Sequence, residues 1–190
     1  MGESNYSEEE FAKIHLNPVK AHNAPVRLEP YDPAWAVLGE AEAAKVRAAL
    51  GPDADIHHVG STSIPGISAK PIIDMLLAVP DSADEDAYVP ALTAQGYRLH
   101  LREPDWYEHR LLKGDAPVVN LHVFTAGDGE IRRMLAFRDW LRAHDDERAL
   151  YEAKKTELAG RTWKYVQHYA DAKGEVVEAI IARALAAEGG

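Results

Sequence analysis

Apolar positions fall into two regimes along the chain. Between residues 55 and 124 they come in short blocks, and from 127 onward they recur at helical spacing. The block at 72–79, IIDMLLAV, is nearly continuous and too short for a helix, so it predicts a buried strand. Blocks at 55–59, 97–101, 108–113 and 118–124 predict further strands. Ahead of them, Asp32-Pro33 opens a helix with Asp as N-cap and Pro at the first helical position, stopped after Leu50 by Gly51-Pro52. Residues 84–95 predict a helix ending at Gly96, and three more are predicted at about 128–143, 146–159 and 162–186. This order predicts an α+β fold with α/β character: a mixed sheet covered by helices, with a helical C-terminal third.

Residues 1–25 read as an extension ahead of a single domain at 26–190. Within the extension, Ser7 and Glu10 make a capping-box pattern that predicts a short helix, broken by Pro18 and Pro25. The 190 residues suit one domain and bury roughly two thirds of the unfolded surface.

The formal net charge of -10 disfavours nucleic acid and anionic lipid, except through a local basic cleft. With no cysteine, disulfides and zinc–thiolate sites are excluded. The N-terminal MGESNYSEEE lacks the apolar core of a secretory signal, and Tyr6 stands where a myristoylation signal wants Ser or Thr. The longest apolar run falls far short of the ~20 residues that span a bilayer. The expectation is a cytoplasmic protein with no membrane association.

The chemistry concentrates in HVGSTSIPGISAKPIIDMLLAV, from His58 to Val79. It is not a Walker A loop: five residues separate Gly60 from Gly66, and Ile67 follows where Lys is required. It is not GxGxxG either. Gly60 lets the backbone approach a ligand, and the N–H groups around Ser61, Thr62 and Ser63 can form an anion nest or an ordinary turn. Lys70 adds a positive charge. Asp74 shares a strand face with Ile72 and Leu76, where a charge is costly unless paired, hydrogen-bonded or metal-bound.

Other charged residues also point inward. Arg138 falls within the apolar stripe of Ile131, Met134 and Leu135, and Arg142 lies on the same side. Both need carboxylates or phosphate as partners. On the last predicted helix, Lys173 sits in the stripe of Val166, Ala170, Val177, Ile180 and Ile181, with Tyr169 one turn before it. Such a lysine snorkels or lines a cleft. Periodicity alone leaves Lys155 as a solvated helix charge. His122 shares a strand face with Asn120 and Phe124, as a structural residue or a ligand.

The stretch His58 to Val79 closely resembles the signature of the GrpB family, a relative of the nucleotidyltransferase superfamily. A similar domain is fused to some bacterial dephospho-coenzyme A kinases. LEPYDPAWAVLGEAEAAKVRAAL, VNLHVF and LAFRDWLRAHDDERALYEAKKTELA extend the resemblance from about Leu28 to Ile181. It implies a nucleotidyltransferase-type fold in which Gly60 and Ser61 match the turn that holds a nucleotide and Asp74 matches one Mg²⁺-binding acid. It also implies that His122 and Lys155 occupy characteristic family positions. The superfamily's second acid is missing, since Leu76 and Ile72 stand at the two candidate positions.

The functional expectation is a nucleotidyltransferase-like protein that binds a nucleotide or other phosphorylated small molecule and transfers a nucleotidyl group with Mg²⁺. Gly60, Ser61, Thr62, Lys70, Arg138, Lys155, Tyr169 and Lys173 would bind the ligand, and Asp74 and His122 would act in catalysis. The alternative is a non-catalytic nucleotide-binding or accessory module.

Overall fold

Five of the apolar blocks join into one sheet in the computed structural model, which describes residues 13–16 and 21–189. They are β1 (Asp55–Val59), β2 (Ile73–Val79), β3 (Arg98–Glu103), β4 (His109–Asp115) and β5 (Val118–Thr125). The strand order is β1-β2-β5-β4-β3. β2 and β5 run parallel, and the other neighbouring pairs are antiparallel. The near-continuous apolar run of β2 follows from its position, paired on both edges and covered on both faces.

Period-two alternation sorts each strand between those faces. Ile73, Met75, Leu77, Leu112, Val119, Leu121 and Val123 pack beneath α1 (Ala34–Leu50) and α2 (Val89–Ala94), with Trp35, Val46 and Leu92. The opposite face carries Asp74, Leu76, Asn120, His122 and Phe124. Leu76 and Phe124 are sealed by Ile131, Met134 and Leu135 of α3 (Gly129–Ala143), while the polar residues of this face are left to the functional site.

The C-terminal third continues with α4 (Asp145–Ala159), α5 (Val166–Asp171) and α6 (Gly174–Glu188). Leu141, Tyr151 and Ile180 close over Ile64 and Ile67 of the β1–β2 loop. The loop is therefore built into a hydrophobic cluster on its far side. The segment before α1 is tied down as well: Ala24 bridges Trp163, Glu29 bridges Ala69, and Leu16 N–H donates to the carbonyl of His100 at 3.0 Å.

Two predicted helices differ from those observed. The one expected at 84–95 is a single 3-10 turn, Glu85–Ala87, followed by α2, because Pro90 has no N–H and suits only a helix's first turn. The one expected at 162–186 is two helices, α5 and α6, separated at Ala172 and Lys173. Lys173 thus ends a turn rather than lying mid-stripe. α1 begins at Ala34 with Pro33 in the N-cap position, one residue later than expected, and Asp32 Oδ1 accepts the Ala34 N–H at 2.8 Å. The Ser7–Glu10 capping pattern lies outside the described residues. Among those described, no helix is long and apolar enough to cross a membrane.

Candidate functional site

The antiparallel register sets Val59, the last residue of β1, opposite Asp74 of β2. The chain must then turn directly beside the carboxylate. Gly60 makes that turn at φ 67° and ψ -174°, a region essentially reserved for glycine. The Ser63 N–H and hydroxyl both donate to the Gly60 carbonyl, at 3.1 and 2.7 Å. Ser61 Oγ lies 3.4 Å from the Tyr151 hydroxyl. Thr62 is 2% exposed, and its hydroxyl is held inside, donating to the Ile72 carbonyl at 3.0 Å with His58 Nε2 also at 3.0 Å. Burial lowers the His58 pKa to about 4 despite the nearby Asp74 charge.

Asp74 pairs in register with Asn120, whose Nδ2 donates to Oδ1 at 2.9 Å. His122 Nε2 stands 3.9 Å from the same oxygen, at ion-pair distance. Burial pushes the Asp74 pKa up, but His122, Asn120 and Lys70 outweigh it and hold the carboxyl below its usual range. The side chain keeps 28% of its surface open.

His122 is itself fixed from behind. Glu103 accepts from His109 Nδ1 at 2.7 Å, and His109 Nε2 lies 3.1 Å from His122 Nδ1. Burial lowers the His109 pKa to about 4, so the ring is neutral near pH 7. With its one proton directed at Glu103, His109 Nε2 accepts from His122 Nδ1–H. The remaining nitrogen of His122 faces Asp74.

Four lysines from four elements complete the site. Lys173 Nζ lies 4.6 Å from the Tyr169 ring centre and 5.9 Å from that of Tyr151. Lys70 lies 5.9 Å from the Tyr169 ring, and Lys155 lies 5.2 Å from that of Tyr151. Burial lowers the Lys70 pKa, Asp74 opposes this, and Lys173 and Lys113 reinforce it. Lys113 on β4 is in register with Asn120; burial lowers its pKa too, and Arg98 adds to that. Lys155 is 1% exposed, donates to the Ser68 carbonyl and sits 3.6 Å from Glu152. Its pKa falls to about 8, through burial first and then the charges of Lys173 and Lys70, against the pull of Glu152. Among the described residues, no carboxylate oxygen lies within 4.0 Å of the Lys70, Lys113 or Lys173 ammonium nitrogen.

The structure therefore brings Gly60, Ser61, Lys70, Asp74, His122, Lys155, Tyr169 and Lys173 around one region. Arg138 is committed at the foot of the loop, at His58, two residues before Gly60. It does point inward, and its Nη1 donates to the His58 carbonyl at 3.2 Å while its other nitrogens bind Asp139 at 2.7 and 2.9 Å. Arg142 grips the Ser63 carbonyl at 2.8 and 2.9 Å. Both arginines support the loop from behind. Lys155 is buried, not solvated as helical periodicity suggested, because its partner is a loop carbonyl far away in sequence.

Sequence reasoning missed Lys113, Tyr151, Glu103 and His109. Strand alternation in HRLLKGD places His109 and Lys113 on one face, but only the register with β5 shows which face that is.

Among the described residues, no three His, Asp or Glu side chains converge to hold a metal ion. Leu76 is buried under α3, so Asp74 contributes the single carboxylate at the start of β2. Mg²⁺ fits this donor set when phosphate oxygens and water supply its other ligands.

A family model described as GrpB protein matches residues 25–183. A UPF0157 protein of Halalkalibacterium halodurans is 52% identical over 179 residues, covering 94% of this chain and 92% of that protein. The crystal structure of the conserved protein GrpB from Enterococcus faecalis superposes with a TM-score of 0.75 at 28% identity, covering 86% of this chain and 100% of that one. A dephospho-CoA kinase of Mycolicibacterium paratuberculosis is 32% identical over 168 residues, covering 74% of this chain and 41% of the kinase.

Proposed function

The chain belongs to the GrpB family, and from that premise we propose that it binds a nucleotide or other phosphorylated small molecule in the manner of nucleotidyltransferases. The observation that carries this reading is the convergence of Lys70, Lys113, Lys155 and Lys173 with too few carboxylates, among the described residues, to neutralise them. Clustered ammonium groups, partly withdrawn from water, repel one another and lose hydration. A polyphosphate reverses both penalties. In a chain of net charge -10, such a cluster is the local basic cleft that an anionic ligand requires.

The roles follow from position. The lysines neutralise the phosphates. Gly60 brings backbone close to them. Asp74 would hold Mg²⁺ together with phosphate oxygens, and that ion, when bound, stabilises charge on the phosphoryl group. His122 in its neutral form presents a bare Nε2 towards Asp74 and takes a proton from an acceptor hydroxyl there, its Nδ1–H being committed to His109; the imidazolium so formed is the form that pairs with Asp74.

Titration with nucleoside triphosphates and Mg²⁺, read by calorimetry and by thermal stability, tests the reading. Binding that weakens in Lys173→Ala is expected. Failure of every nucleotide and of inorganic tripolyphosphate to bind at millimolar concentration would overturn it. A second reading, a non-catalytic binding module, is favoured by the solitary carboxylate. It predicts binding without pyrophosphate release and without loss in Asp74→Asn.

A further inference from the structure

The turn between β3 and β4 carries backbone strain that the fold does not explain. Tyr107 and Glu108 are consecutive non-glycine residues in the left-handed region, at φ 52° and 47°. Strain of this kind persists only where its surroundings over-determine it, and it concentrates at functional sites. Here the surroundings are specific. Buried Ser82 donates to the Glu108 carbonyl at 2.9 Å, and buried Arg110 donates to the same oxygen at 2.8 Å. Arg110 is anchored in turn on Glu85 at 2.7 Å.

What this clamp displays is a pair of exposed aromatic rings. Trp106 and Tyr107 are 36% and 43% exposed, with ring centres 5.7 Å apart. Trp106 also packs edge-on against His109 and Phe124, at 5.1 and 5.6 Å. Both of those residues stand on the sheet face that carries Asp74. The aromatic pair is therefore continuous with the candidate site through His109 and His122, whose rings stack at 5.2 Å.

Spacing decides the occupant. Asn120, in register with Lys113 and hydrogen-bonded to Asp74, and Phe124, beneath Trp106, are four residues apart on β5, or about 13 Å at ~3.3 Å per residue. That is the distance from the terminal phosphates of an extended nucleoside triphosphate to its base. We infer that Trp106 and Tyr107 form a stacking platform for the flat aromatic base of the ligand whose phosphates lie among Lys70, Lys113 and Lys173. This rests on the phosphate-binding reading above and narrows the ligand to a nucleotide.

The experiment compares Mg²⁺ with ATP, GTP, CTP and UTP against Mg²⁺ with inorganic tripolyphosphate, titrated calorimetrically into the whole chain. Three variants are used: Trp106→Ala, the milder Trp106→Phe, and Tyr107→Gly, which suits a left-handed backbone and so keeps the turn. The wild type should bind at least one nucleotide about tenfold more tightly than tripolyphosphate. Trp106→Ala and Tyr107→Gly should erase that preference and leave tripolyphosphate affinity unchanged, with Trp106→Phe in between. Equal preference in wild type and variants would overturn the platform while leaving the lysine cluster intact. Failure of the nucleotides and of tripolyphosphate alike to bind would overturn both readings.

Discussion

A side-chain carbon placed on Gly60 would lie 2.6 Å from Oδ2 of Asp74. The turn after β1 closes over the carboxylate at a distance that only a hydrogen can occupy. Backbone and acid are thus held together by steric fit, before any ligand is considered.

Gly60→Ala should therefore destabilise the protein by about 1–3 kcal/mol from its φ of 67° alone, with the collision adding to that. Urea denaturation measures the total. In an Asp74→Gly background the collision disappears and the backbone strain stays, so the cost of Gly60→Ala should shrink without vanishing.

Lys173→Met should stabilise the ligand-free protein and weaken the response to polyphosphate. Removing one member of a like-charged group is worth about 1 kcal/mol, or ~2–4 °C in melting temperature. A thermal melt with and without tripolyphosphate should show both changes. A lower melting temperature for the free variant would mean that Lys173 has a stabilising partner instead.

Lys155 gives the stability curve an alkaline slope. Its ammonium releases its proton near pH 8 in the fold, against an ordinary value of 10.5. Between those values the unfolded chain binds more protons, so stability climbs as pH rises from 8 to 10.5. The contribution is about 3 kcal/mol. Denaturation of wild type and Lys155→Met across this range should show wild type gaining that amount on the variant, whose stability lacks this slope.

His109 sets an acid limit. Its pKa falls from 6.5 to about 4 on burial, so its stabilising contribution is complete above pH 6.5 and lost as pH falls towards 4. The loss is about 3 kcal/mol, and His58 adds a similar one. His109→Phe keeps a ring against Phe124 and removes the titrating group. Its stability should fall less than that of wild type between pH 7 and pH 4.5.

The sheet was legible in sequence because each strand is a short block of apolar residues, and 55–59 ends where β1 ends. The break at Ala172 was not, since apolar spacing runs on across Gly174 and only the packing of α6 shows where the axis changes. Inward placement of Arg138 was readable from periodicity. Its partner, the His58 carbonyl, was not, because a main-chain acceptor leaves no mark in the sequence. The same holds for Lys155 and the Ser68 carbonyl. Asp74 was legible because a lone acid in an apolar strand demands an account, whereas Lys113 became visible only when register set it beside Asn120.

Lys70 and Lys113 belong to the sheet and its loop; Lys155 and Lys173 belong to the helical third. Mutual repulsion therefore acts across the seam between these two parts, and the grip of Ser68 on Glu152 and Lys155 has to resist it. A polyanion seated between them would work as mortar, drawing the two walls together.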